Sequence, residues 1–133
     1  MVTLLDSTIQ SVSRRPFEEL GQNDVLLVDS SHVSKAGSDV NLIVHEILPQ
    51  LAPGVVVHFH DIFYPFTYPR RLLENHQYWN EAYLLRAFLC ENERFEIMLW
   101  NNYLKQQHTT DFNTALGGDQ NDIACSFWMR RVH

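Results

Sequence analysis

The stretch DVLLVDSSHVSKAGSDVNLIVHEILPQLAPGVVVHFHD, residues 24–61, decides the fold. It opens on Asp24-Val25-Leu26-Leu27-Val28-Asp29, a nearly continuous apolar run closed by an acid, the pattern of a strand covered on both faces in a parallel sheet. Ser38 then stands where a helix needs an N-cap. The apolar residues Val40, Ile43, Val44, Ile47, Leu48 and Leu51 follow at helical spacing, with Pro49 in the last turn. A turn at Ala52-Pro53-Gly54 leads into Val55-Val56-Val57-His58-Phe59-His60-Asp61, a second β-branched run with polar residues at its end. Strand, helix, strand is a crossover unit whose strands run parallel, so Asp29 and the His60-Asp61 pair are expected at one carboxyl edge of the sheet. Open α/β sheets hold their ligands at that edge.

On the N-terminal side, Val2–Leu5 is a short apolar segment that reads as an ambiguous strand, and Phe17–Leu20 as a helical turn ended by Gly21. On the C-terminal side, residues 62–78 are aromatic and interrupted by Pro65 and Pro69. They read as a long loop over the edge, of the kind that serves as a lid. Residues 79–91 have a helical apolar face, and 95–100 read as a strand. A polar connection containing Gly117-Gly118 then precedes a final strand over about 124–130. Trp128 in that strand reads as core, and Phe63, Tyr64, Phe66 and Tyr68 as packing under the loop.

The chain has 133 residues, the length of one domain, with 45% hydrophobic and 20% charged residues, so a globular core is expected. A net charge of -6 and scattered basic pairs argue against a nucleic-acid partner. No apolar run reaches the roughly 18 residues of a membrane span, and no signal peptide is evident, so no membrane partner is expected. Cys90 and Cys125 lie far apart and read as buried, reduced thiols, which points to a cytoplasmic location.

The residues that can carry chemistry sit at the two strand ends. Asp29, His60 and Asp61 supply three protein ligands for a divalent cation if the sheet brings them together; equally, they can cap and brace the loops there. His32, three residues beyond Asp29, is either a solvated loop histidine or a base for a substrate hydroxyl. His58 shares a strand face with His60 and reads as a satisfied structural histidine.

The strings LLVDSSHVSKAGSDVN (26–41), EILPQLAPGVVVHFHDIFYPFTYPRRLL (46–73) and WNEAYLLRAFL (79–89) resemble the second half of a class I S-adenosylmethionine-dependent methyltransferase, and among these the macrocin and mycinamicin type sugar O-methyltransferases. The likeness runs over about residues 2–132. It implies an α/β fold with a partial Rossmann-like sheet, strands three to seven of the family, flanked by helices in a single domain, 1–133. It further implies Asp29, His60 and Asp61 as metal ligands, His32 as catalytic base, and methyl transfer to an oxygen of a small-molecule or sugar acceptor. His60 departs from the acidic pattern: a nitrogen ligand suits manganese, iron or zinc better than magnesium. Five glycines occur and none forms a GxG arrangement, so the glycine-rich loop that cradles the methyl donor has no counterpart. The expectations are therefore a chain that is inactive by itself and needs an N-terminal half or a homo-oligomer, or a noncatalytic module that dimerises through an uncovered sheet edge. A small metal-binding protein with hydrolytic chemistry is a third reading.

Overall fold

The computed structural model describes residues 2–117 and 125–133. Its centre is a mixed four-stranded sheet of β1 (Val25–Val28), β2 (Val56–Phe59), β3 (Phe95–Trp100) and β4 (Phe127–Arg131), in the order β1-β2-β4-β3. β1 and β2 are parallel, with Val28 opposite Phe59; β4 is antiparallel to both β2 and β3. Because β4 runs the other way, its first residues arrive where β2 ends: Phe127 lies opposite Phe59.

A short helix α1 (Arg15–Glu18) precedes β1, with Pro16 in its first turn. The crossover from β1 to β2 is the expected helix. Ser38 Oγ accepts from Asn41 N at the start of α2 (Asp39–Leu42), which continues as a π-helical turn at Ile43–Ile47 and a 3-10 turn at Leu48–Gln50 that holds Pro49. Its apolar stripe and that of α4 (Glu81–Leu89) join Val28, Val57, Phe59, Phe127 and Met129 in one buried cluster. This burial is the main driving force of the fold, because apolar area removed from water contributes roughly 25 cal/mol per Å2.

Several expectations need correction. β1 is not covered on both faces: Val25 and Leu27 are 51% and 63% exposed, and Leu99 on the same face is 41% exposed. A continuous apolar run fixes a strand but does not say which of its faces meets a helix. Val2–Leu5 forms no strand and Val2 and Leu4 are exposed, so the sheet has four strands among the described residues, not five.

The 62–78 segment contains α3 (Arg70–Glu74), with Pro69 as its cap. The rings of Tyr64 and Phe66 pack on Trp100, and Phe66 on Phe127, so this segment is seated on the sheet edge. The polar connection after β3 holds two helices, α5 (Asn101–Gln107) and α6 (Thr109–Ala115), which are anchored by few buried residues, Asn102 and Phe112. Helices so polar around their circumference carry a weak periodic signal. The last strand is Phe127–Arg131; the expected start near Ala124 lies outside the described residues, as does Gly118. Trp128 is half-buried rather than core, and Cys90 is exposed; Cys125 is buried, and both thiols are free.

Candidate functional site

The carboxyl ends of β1 and β2 are tied together by a hydrogen bond from His60 N to Val28 O, 2.9 Å. Asp29 leaves one strand and His60-Asp61 the other, so all three expected ligand residues reach the same edge. His32 comes off the loop after β1. Both His32 and Asp61 adopt a left-handed backbone, with φ of 58° in each. A residue with a Cβ occupies that region at some cost, and such positions collect where a side chain has to be aimed.

His32 is buried, at 7% exposure. Its Nδ1 lies 2.9 Å from Oε2 of Glu81, which is 1% exposed, and its ring lies tilted against Trp79, with centroids 4.2 Å apart. The second Glu81 oxygen accepts from Ser30 Oγ at 2.8 Å, and Ser30 Oγ in turn accepts from His32 N. Main chain completes the clamp: Asn80 N and Glu81 N both donate to His32 O, so the loop caps the start of α4 and α4 returns a carboxylate to the loop. With Nδ1 committed to Glu81, the other ring nitrogen faces the acids. Nε2 is 3.6 Å from Asp29 Oδ1 and 3.9 Å from Asp61 Oδ2. Burial disfavours the imidazolium, but the hydrogen bond and charge of Glu81, followed by Asp61 and Asp29, outweigh it and raise the His32 pKa.

The loop is fixed at a second point. Ser31 donates to Asp39 through both its amide and its hydroxyl, and Asp39 also accepts from Val40 N. Partial burial pushes the Asp39 carboxyl up, yet these donors to its charged form prevail and hold it below the ordinary value.

The β2 side of the edge is built differently. His60 Nε2 is 3.8 Å from Asp61 Oδ1, and the His60 side chain is 48% exposed. The same Asp61 oxygen accepts from Cys125 Sγ at 2.8 Å. Burial and then the neighbouring Asp61 carboxylate push the Cys125 thiol up to about 12. Asp29, with a side chain 63% exposed, approaches the same His32 nitrogen as Asp61, but it does not belong to the close group of ligand atoms that His60, Asp61 and Cys125 form.

His58 is held structurally by stacking on Trp128 at 4.4 Å, yet neither ring nitrogen has a hydrogen-bond partner among the described residues, so the expectation of a satisfied histidine is corrected. The strand register sets it between Leu27 and Trp128, where no polar side chain is opposite. Burial, then the charge of His60, lowers its pKa against the opposing pull of Asp29.

Glu81 and Cys125 are the site residues that reading the sequence passed over. Glu81 had a signal: it lies four residues before Leu85 and next to Ala82, on the stripe that α4 buries. A carboxylate there requires a partner. Cys125 had none until the antiparallel placement of β4 was known.

A cleft of about 390 Å3 lies along the outer edge of β1, walled by Ile9, Phe17, Leu26, Val28 and Ile43, with Asp29 and Asp39 among its polar lining. No glycine is among the described residues that line it. Among the described residues, no helix is long and apolar enough to cross a membrane.

No curated protein and no solved structure matches the chain. Residues 1–62, the part that carries β1, the crossover helix, β2 and the residues Asp29, His32, His60 and Asp61, match the family model of a methyltransferase domain, and this likeness supports a methyltransferase family.

Proposed function

We propose that the chain contributes the acceptor-activating part of an S-adenosylmethionine-dependent methyltransferase that methylates a hydroxyl of a small molecule or sugar, in the manner of the macrocin and mycinamicin type enzymes. The observation that carries the reading is His32: buried, fixed through Nδ1 by Glu81, and presenting Nε2 to the edge between Asp29 and Asp61. An imidazole held by a carboxylate at one nitrogen keeps the other in place to accept a hydroxyl proton.

Asp29, His60 and Asp61 are the residues that would hold a divalent cation, with donor types that suit manganese better than magnesium; among the described residues the ligand atoms already close together are those of His60, Asp61 and Cys125, so Asp29 would have to move in to join them. The cation, when bound, lowers the cost of presenting an oxyanion. The donor fits this chain only in part. The β1 cleft offers an apolar wall and acids, and the glycine-rich cradle has to come from another segment or another chain. No step of the transfer is therefore assigned to these residues beyond binding the acceptor and taking up its proton.

A second reading has its own observation. Val25 and Leu27 are exposed on a strand that, among the described residues, pairs on one side only, which favours a noncatalytic module that self-associates there. Calorimetric titration with S-adenosylmethionine, with and without magnesium or manganese, separates the two. The enzyme reading expects saturable binding that weakens on metal removal and in Asp29→Ala. A folded sample that gives no heat up to millimolar donor overturns it and leaves the self-associating module.

A further inference from the structure

We infer that His60, Asp61 and Cys125 form a site for a thiophilic divalent cation of the zinc class, with Cys125 as a direct sulfur ligand. The inference rests on the preceding reading only for the idea that this sheet edge holds a cation; it does not need methyl transfer.

One ligand atom from each of the three residues lies within 4.8 Å of the others. The three come from two places 64 residues apart in sequence, the end of β2 and the approach to β4, and the antiparallel pairing of Phe59 with Phe127 brings them together. A hydrogen bond from Ile62 N to Cys125 O, 2.9 Å, fixes the backbone of that junction. Ligand bonds of about 2.0–2.3 Å in a tetrahedral zinc site place neighbouring donor atoms about 3.3–3.7 Å apart. His60 Nε2 to Asp61 Oδ1 is already 3.8 Å, and the 2.8 Å contact of Cys125 Sγ to the same oxygen is a hydrogen bond that has to open by less than an ångström.

The donor set chooses the metal. Sulfur, imidazole nitrogen and one carboxylate oxygen suit zinc or cobalt, whereas magnesium demands oxygen ligands and gives up its water reluctantly. Sulfur is enclosed, with Cys125 buried, while His60 is 48% exposed and opens the site to solvent. Three protein ligands and one solvent-facing position are the arrangement of a zinc site that keeps a place for water or substrate. On binding, the Cys125 S–H bond breaks, its proton passes to the buffer and the sulfur electron pair goes to the metal.

Cobalt(II) titration of the purified chain tests this. The expected result is one cobalt per chain, with a thiolate-to-cobalt charge-transfer absorption in the near ultraviolet. Losing a direct ligand should cost at least as much as losing an outer-shell partner, so Cys125→Ser is expected to abolish the band and weaken affinity on the order of a hundredfold. Cys90→Ser, which alters the exposed thiol, keeps both band and affinity. His60→Ala, at an exposed position, serves if Cys125→Ser does not fold, and it also weakens cobalt binding. Cobalt that fails to bind, binds without a thiolate band, or binds equally well to Cys125→Ser or His60→Ala overturns the assignment. A thiolate band in a chain that never binds S-adenosylmethionine leaves this site standing and removes the methyltransferase reading. Donor binding that depends on magnesium and Asp29, with no thiolate band, does the reverse.

Discussion

The two halves of the carboxyl edge use the same residue types to opposite ends. On the β1 side, His32 is buried and its surroundings leave it no freedom: Glu81 and Ser30 hold it from below, Trp79 covers its face, and its own carbonyl caps α4. On the β2 side, His60 is half-exposed, with Asp61 at 3.8 Å as its neighbouring acid. The difference teaches what each side can do. A proton acceptor has to be oriented before substrate arrives, whereas a cation site can keep mobile ligands until the ion collects them.

Stability should report this contrast most strongly. His32→Asn keeps a residue that tolerates the left-handed backbone but removes the ring nitrogen that meets the buried Glu81 carboxylate, which costs about 1–3 kcal/mol. His60→Ala, an exposed change, should stay within about 0.5 kcal/mol of the parent in the absence of metal. Urea denaturation of both variants measures the gap, and equal losses would erase the distinction between the two sides.

A smaller effect sharpens the same comparison. Asp39 anchors the β1 loop through Ser31, and its folded pKa is depressed, so its contribution is present above the unfolded carboxylate value and is lost as pH falls through the folded one. Asp39→Asn is expected to lower stability near neutrality by roughly 1 kcal/mol, a figure reduced for partial solvent screening, and to flatten the loss on acidification below about pH 4. Stability curves of parent and variant that stay parallel through that range would show that the anchor carries no charge-dependent part.

Much of the βαβ unit was legible because each of its elements satisfies a local rule: an unbroken β-branched run, a capped helix with a regular stripe, and a turn at Pro53-Gly54. Parallel pairing then places Asp29, His60 and Asp61 at one edge without further information. What could not be read is long-range or weakly periodic. Glu81 meets His32 across 49 residues and Cys125 meets Asp61 across 64, and no spacing rule connects such positions. The open face of β1 was illegible for a related reason, since exposed Leu27 and buried Val28 belong to the same apolar string. Helices α5 and α6 escaped because Asn102 and Phe112, their buried residues, do not recur at helical spacing.

The proposed division of the edge into a fixed base and an open cation site is most directly tested by nitrogen-15 NMR of the histidine rings, recorded above the His32 pKa, before and after zinc is added. The account predicts that His32 carries its proton on Nδ1, toward Glu81, and that this signal persists while the His60 ring resonances move to metal-bound positions. A His32 proton on Nε2, or zinc that perturbs His32 and leaves His60 untouched, would contradict it.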